Sequence, residues 1–248
     1  MVNETLDLFR GCSSMAEQRV PTRDGGSIPT RPLQIVSAPR SVYGPWLTEI
    51  HYAKRIPPVT FAYGLVVADD LLGDKCVGCI TYGSPASPQV ARSLAPTAPK
   101  VVLELNRLVL QTDIKNAASF LISRTLRFLP GGLIVCSYAD GKMGHVGYVY
   151  QAANFFYAGS ATAHDHEYLI NGVPTHPRTL AARGITSPKE WARANNIETV
   201  PPRPKHRYVF FTGSKKERKT AAELCKWTLS REYPKGPTAR YAIEGAVQ

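Results

Sequence analysis

Apolar and polar positions alternate from Val59 to Val67 (VTFAYGLVV), a period of two rich in β-branched and aromatic residues that predicts a strand. Asp69 to Asp74 (DDLLGD) carries turn chemistry, and Val77 to Tyr82 supplies the second arm of a hairpin. The proline-rich stretch from Ser84 to Pro99 reads as a loop, and Val101 to Leu110 (VVLELNRLVL) as a strand with polar interruptions. Asn116 is placed to cap a helix running to about Leu129, with Ala118, Leu121, Ile122, Thr125 and Leu129 on one face, and Pro130-Gly131-Gly132 stops it. Leu133 to Tyr138 (LIVCSY) predicts a short strand buried on both faces. A second helix is expected from about His145 to Tyr157, its inner face carrying Val146, Val149, Tyr150, Ala153 and Tyr157, with Gly159 closing it. Glu167 to Ile170 and Arg207 to Thr212 read as strands. Between them Ser187-Pro188-Lys189-Glu190 fits a capping box opening a short helix to Asn196. The order is that of a mixed α/β fold around a central sheet.

Composition adds direction. At 248 residues and 44% hydrophobic, the chain supports a packed core, which excludes wholesale disorder. No apolar run reaches the roughly 18 residues a membrane helix needs, and no basic-then-apolar leader opens the chain. Five Cys are too few and too uneven for a disulfide scaffold, so a reducing, cytoplasmic location is expected. The formal net charge of +11 arises from 30 Lys+Arg against 19 Asp+Glu. It is concentrated at the end of the chain: residues 201–248 hold 11 basic and 4 acidic side chains. The densest part is Lys215, Lys216, Arg218 and Lys219. Clustered cations release counterions when they neutralise phosphates, so this distribution points to a polyanion rather than only a solvated helix face.

Residues 11–32 (GCSSMAEQRVPTRDGGSIPTRP) show neither helical nor strand periodicity. They resemble the conceptual translation of a transfer-RNA gene: Ser13 to Gln18 back-translates to a D-arm sequence and Gly26 to Pro29 to a T-arm sequence. Residues 1–33 are therefore expected to stand outside the fold, the alternative being a genuine N-terminal arm. Residues 34–248 are expected to form one domain, with a basic segment at 203–248.

Several residues could carry chemistry. Cys76 and Cys79 form a CxxC, but residues three apart in a strand face opposite sides, so their sulfurs are expected to diverge. Cys136 reads as a small buried hydrophobe. Asp140 leaves a buried strand at its C-terminal end, where open α/β sheets bind ligands, and His145 follows within a glycine-rich turn; a carboxylate and an imidazole there suit proton transfer. The bland alternative is an Asp capping the next helix. Lys115 and Asn116 open a helix directly after a strand, a geometry that could hold a pyrophosphate. Arg107 lies mid-strand among apolar neighbours and must reach a carboxylate, a phosphate or solvent; strand alternation sends Asn106 to the opposite face. His51 to Arg55 (HYAKR) taken alone is a surface helix end. Tyr148, Tyr150, Phe155, Phe156 and Tyr157 put dense aromatics on one expected helix, mostly core, with one or two free to stack on a base.

Taken together, HYAKR (51–55), VGCITYGSP (77–85), LELNRLVL (103–110), KNAASFLISRTLRFL (115–129), SYADGKMGHVGYVYQAANFFYAG (137–159) and YPKG (233–236) resemble the Mom family, phage proteins that modify adenine in DNA and are similar to distant GNAT acetyltransferases. The long SYAD string is the most specific of these. The resemblance implies a GNAT-like fold with a central, mostly antiparallel sheet flanked by helices, and acetyl-CoA between its parting central strands. It implies a product in which adenine N6 carries a methylcarbamoyl (acetamide-type) group, protecting phage or mobile-element DNA from restriction. Simple acyl transfer would give N-acetyl adenine instead. Carried to matched positions, it implies catalytic roles for Asp140, His51, Tyr150, Ser119 and His145. Cofactor contacts fall to Arg107, Lys115 and Asn116, although Gln111 to Asn116 replaces the usual glycine-rich phosphate loop. Double-stranded DNA would meet Tyr52, Lys54, Arg55, Lys215, Lys216, Arg218 and Lys219. Iron held through His51 and a homodimer are carried as further expectations.

Three rival readings stand beside this one. An ordinary GNAT enzyme acting on a small amine or protein is opposed by the basic C-terminal segment. A non-catalytic DNA-binding protein would be favoured by a helix-turn-helix, which the sequence does not offer. A methyltransferase would need a glycine-rich first strand-turn.

Overall fold

The computed structural model describes residues 33–68, 73–141, 144–161, 166–200 and 205–236. The expectation for the first thirty-odd residues therefore lies outside the described residues, as do most of the turn expected at 69–74 and both ends of the basic segment. In chain order the strands are β1 (Leu33–Ser37), β2 (Phe61–Val67), β3 (Lys75–Gly83), β4 (Val102–Leu110), β5 (Ile134–Asp140), β6 (Phe156–Ala161), β7 (Glu167–Ile170), β8 (Val173–Thr175), β9 (Thr199–Val200) and β10 (Lys205–Phe211). The helices are α1 (Arg40–Pro45), running into a π-helical turn over Trp46–Ile50, then α2 (Pro88–Leu94), α3 (Ala117–Thr125), α4 (Tyr148–Ala152), α5 (Pro177–Ala182), α6 (Pro188–Ala194) and α7 (Lys215–Leu224).

Seven strands form one sheet in the order β1-β2-β3-β4-β5-β10-β6. Every neighbouring pair is antiparallel except β4 and β5 at the centre, which run parallel. This is the mixed, mostly antiparallel sheet flanked by helices that the sequence predicts. On one face Leu65, Ile80, Leu103, Val135 and Tyr208 pack against Leu121 and Ile122 of α3 and against Tyr150 and Phe155. On the other, Ile134, Cys136, Val209 and Phe211 meet Ala91 and Leu94 of α2 and Ala221 of α7. Full burial of each such side chain stabilises by about 1.5–3 kcal/mol, so both faces of the central strands are committed to core. A second sheet, β8-β7-β9, has its own small core of Tyr168, Leu180 and Ala192.

Several expectations need correcting. The stretch Ser84 to Pro99 is not all loop, because Ser87 caps α2 by accepting from the Gln89 N–H at 3.3 Å and Pro88 takes the first helical position. Proline there starts a helix, since its missing N–H would have no intrahelical partner anyway. The helix expected over 145–157 is only Tyr148–Ala152. Asn154 sits in the left-handed region at φ 61°, and Phe156 onward pairs with β10 as a strand that includes Gly159. Ser187 precedes α6 as expected but makes no side-chain cap, and the capping box is instead Ser214 with Glu217 at the start of α7. Asn116 stands before α3 in the left-handed region, also without a side-chain cap bond. Strand β1 and helix α1 had not been anticipated.

A clamp fixes the turn that follows β5. Gly147 has φ 81°, and a Cβ there would lie 2.7 Å from Cζ of Tyr208. The Tyr208 hydroxyl donates to the Val146 carbonyl. The Gln151 amide donates to Val146 O at 3.2 Å, to the Tyr208 hydroxyl at 3.1 Å and to Pro234 O at 3.3 Å. Tyr148 closes the clamp, its hydroxyl donating to Gly236 O at 2.8 Å and accepting from Gly236 N–H at 3.1 Å. Gly147→Ala should therefore destabilise the protein by about 1–3 kcal/mol, measured by denaturant unfolding, because the residue must hold a left-handed backbone and displace a buried ring. A change within about 0.5 kcal/mol, the usual scale of neutral surface substitutions, would show that the ring yields freely.

Candidate functional site

The two central strands stay together only briefly. Val102, Leu103 and Glu104 pair with Ile134, Val135 and Cys136, and among the described residues the two strands pair with each other no further. Past that point Ser137 Oγ donates to Leu105 O at 2.9 Å, and the strands part. One wall of the opening is the rest of β4, with Asn106 and Arg107. The other is the end of β5, with Tyr138 and Asp140.

A bulge shapes the first wall. Thr81 pairs with Arg107 while Tyr82 pairs with Leu105, leaving Asn106 as the extra residue. The strict alternation expected for adjacent residues is therefore broken at Asn106. The Asn106 amide donates to Pro58 O at 2.8 Å, and its Oδ1 accepts from Thr81 Oγ1 at 2.6 Å. Gly83 lets that loop approach: a Cβ there would come within 2.6 Å of the Pro58 carbonyl carbon. The loop from His51 to Pro58 is thus tied across β3 and β4, with His51 and Tyr52 near Arg107.

His51 ends the π-helical turn, is buried, and stacks on Tyr52 with ring centroids 4.3 Å apart. Its Nδ1 accepts from Ala53 N–H at 3.0 Å, which leaves the proton of the neutral ring on Nε2. Burial, then the Arg107 guanidinium, lowers its pKa from 6.5 to about 4, so the ring is neutral near pH 7. Tyr52 is 61% exposed as a residue, yet burial around its hydroxyl, and next the Asp140 carboxylate, raise its pKa while Arg107 and Arg55 oppose them. Arg107 is half-buried; burial, then Arg55, lowers its pKa, with Tyr52 and Glu104 opposing. Its Nη1 donates to Asn106 O, and among the described residues its buried Nε has no hydrogen-bond acceptor. His51, Tyr52, Arg55, Arg107 and Asp140, scattered over 90 residues of sequence, thus share one electrostatic neighbourhood at the mouth of the opening.

The remaining predicted residues are distributed around it. His145 follows Asp140 in the turn, its N–H donating to Asp140 O at 3.2 Å. Ser119 lies in the first turn of α3, its Oγ donating to Asn116 O at 3.1 Å, and Lys115 and Asn116 before it are exposed. Tyr150 is a core residue, its ring 5.2 Å from Tyr208 and 5.5 Å from Phe155. The Lys54 ammonium donates to the Glu49 carbonyl. Lys215, Lys216, Arg218 and Lys219 are exposed on α7, beyond the far end of β10. Lys205 pairs with Asp140 and Phe211 with Ile134, so the cluster starts beyond six strand residues, roughly 20 Å from the mouth. Tyr148 is half-exposed, while Phe156 and Tyr157 belong to β6 rather than to a helix.

Cys76 and Cys79 also depart from expectation. The pairing of β2 with β3 skips Val77, and this second bulge turns both cysteines toward the small core around Trp46. Both are free thiols whose pKa is raised, chiefly by burial. Cys136 is buried as expected. Among the described residues no three His, Cys, Asp or Glu side chains gather as a metal site, and His51 has one ring nitrogen already engaged.

Sequence reasoning missed Asn106 as a positioning residue, and also Glu104, Tyr138 and Tyr208. The polar interruption of an apolar strand was the one available sign of Asn106. Tyr208 was hidden inside an ordinary strand pattern.

The Mom protein family matches residues 33–235 of this chain. Methylcarbamoylase mom of Escherichia phage Mu is 29% identical over 202 residues, covering 75% of this chain and 76% of the relative.

The low pKa of His51 sets a pH dependence. Its folded value, about 4, lies below the 6.5 of an unperturbed histidine, so the unfolded chain takes up this proton first. The contribution to stability is full above pH 6.5 and is lost as pH falls toward 4. His51→Gln should therefore lose less melting temperature than the parent between those limits, as read by thermal unfolding across pH. Parallel curves would place the His51 proton equilibrium elsewhere.

Proposed function

Because the chain belongs to the Mom protein family, we propose that it is a DNA-modifying enzyme that converts adenine in double-stranded DNA to its N6-methylcarbamoyl (acetamide-type) form, with acetyl-CoA supplying the two-carbon unit and losing its thiol, and with a nitrogen donor and a two-electron oxidant as further co-reactants for the amide and for the new bond from N6 to carbon. The single observation that carries this reading is the gathering of His51, Tyr52, Arg107 and Asp140 at the mouth where β4 and β5 part. In the cell the modification would shield phage or mobile-element DNA from restriction. The phage relative named a methylcarbamoylase supports the reaction class. The lone parallel pair at the centre of an otherwise antiparallel sheet supports the GNAT-like fold.

The substrate sets demands that these residues meet. The N6 lone pair of adenine is delocalised into the ring, and the base is stacked and paired in duplex DNA. Extruding it costs a few kcal/mol. The exposed ring of Tyr52 offers a face for the extruded base, and its raised pKa keeps the phenol a hydrogen-bond donor. Asp140 takes the proton lost from N6, with His145 on the adjoining turn as its neighbour. Neutral His51 presents an Nε2–H donor and adds no charge beside Arg107. Arg107, crowded by Arg55 and partly stripped of water, stabilises negative charge at the mouth.

Two features support acetyl-CoA as the donor. The strands separate past Glu104 and Cys136, and exposed Lys115 and Asn116 precede α3. Lys115, Asn116 and Arg107 would hold the phosphates of acetyl-CoA, which when bound supplies the two-carbon unit. Tyr52, Lys54 and Arg55 would meet DNA at the mouth, with Lys215, Lys216, Arg218 and Lys219 as remote phosphate contacts.

Mass spectrometry of nucleosides from DNA of cells making the protein should show an adenosine adduct. Asp140→Asn keeps size and most hydrogen bonds but removes the proton acceptor. It should cut the adduct by about 100-fold or more while leaving melting temperature and DNA affinity in place. An adduct near parental levels would refute Asp140 as the base, and absence of any adduct with the parent protein would refute the reaction.

A further inference from the structure

We propose that the groove between β6 and the segment after α7, built around Arg207, Lys226 and Trp227, is a second DNA contact that seats the phosphodiester backbone flanking the extruded base. The proposal rests on the DNA reading above and adds a site to it.

The groove encloses about 560 Å³, with Tyr157 and Gly159 on one side and Lys226, Trp227 and Thr228 on the other. A volume of this order is that of a small-ligand site. Its centrepiece is Arg207, whose guanidinium lies 4.5 Å from the centroid of the Trp227 ring. Stacking on an aromatic face holds the planar cation in one orientation and leaves its edges for paired donation to phosphate oxygens. Trp227 is itself fixed, since its Nε1 donates to Ser93 Oγ at 3.2 Å. Lys226 is rooted by its backbone N–H, which donates to Leu94 O at 2.8 Å, while its side chain is exposed. One carboxylate, Glu232, stands at the rim against these two cations. Among the described residues no hydrogen bond reaches the buried Nε of Arg207, so the stack with Trp227 is its chief anchor.

Position decides the ligand. Arg207 pairs in register with Tyr138, two residues before Asp140 on the same strand. Its charge acts on Tyr138 on one side and on Tyr157 on the other, so the groove begins where the mouth ends. A strand whose base occupies the mouth must carry its neighbouring phosphates away along the surface, and this groove meets them first. The lysine cluster on α7 starts beyond the opposite end of β10. Anionic phosphodiester oxygens match a fixed, stacked guanidinium and a mobile ammonium better than any apolar partner would.

The test measures binding of a short duplex by fluorescence anisotropy over a range of salt, beside acetyl-CoA binding and thermal unfolding. Each phosphate contact contributes about 0.9 to the slope of log K against log salt. Lys226→Gln and Arg207→Gln should each lower that slope by about this amount, with acetyl-CoA affinity unchanged. Lys189→Gln, on exposed α6, should leave the slope alone. A parental slope in both groove variants overturns the proposal while leaving the DNA reading standing. Loss of acetyl-CoA affinity with an unchanged slope overturns it by giving the groove to the donor. A parent protein that binds no duplex overturns the DNA reading, and this site with it. If Arg207→Gln fails to fold, exposed Lys226 decides alone.

Discussion

The parting of β4 and β5 is the constraint on which the rest depends. Three residue pairs hold the strands parallel, and then their facing edges have no strand partner. A buried carbonyl left unpaired costs about 1–3 kcal/mol, so the structure provides substitutes, such as the Ser137 hydroxyl on Leu105 O. The bulge at Asn106 bends β4 where the gap opens. It also frees Asn106 to hold Pro58, and through Pro58 the loop that carries His51 and Tyr52. A polar opening can thus exist in the middle of a sheet whose two faces are otherwise packed with apolar side chains.

The opening is crowded with charge of both signs, and the crowding sets protonation. Burial and Arg107 keep His51 neutral, while Asp140 helps keep the Tyr52 phenol protonated. Arg107 remains a cation, as arginine does in proteins, although burial and Arg55 work against it. One neutral imidazole donor, one protonated phenol, one carboxylate and one fixed cation share the mouth, an arrangement of fixed charges and dipoles of the kind that electrostatic preorganisation uses.

Much of the SYAD motif is explained by mechanics rather than chemistry. Gly147, Tyr148 and Gln151 form, with Tyr208, Pro234 and Gly236, the clamp that fixes the turn after Asp140. The YPKG motif belongs to the same device: the Tyr233 hydroxyl donates to Phe155 O at 2.8 Å, and Gly236 meets Tyr148. Two motifs more than seventy residues apart are therefore one structural unit, holding the end of β5 where the proposed base sits.

The sequence by itself determined the central strands, the start of the helix after β4, which ends at Thr125 rather than near Leu129, and the end of β5 near Asp140, because periodicity and turn residues act locally. It also pointed to His51, Tyr52, Arg107 and Asp140 as site residues, through resemblance and through a cation stranded in an apolar run. Only the tertiary structure decided that these four meet, because β4 and β5 become neighbours through a crossover helix that no local pattern specifies. Only it placed a bulge at Asn106 and turned Cys76 and Cys79 toward one small core, because a bulge is a property of two strands in register and not of one. The short α4 and the strand at Phe156 were likewise decided by pairing with β10, which outweighed a helical pattern that the left-handed Asn154 had already interrupted.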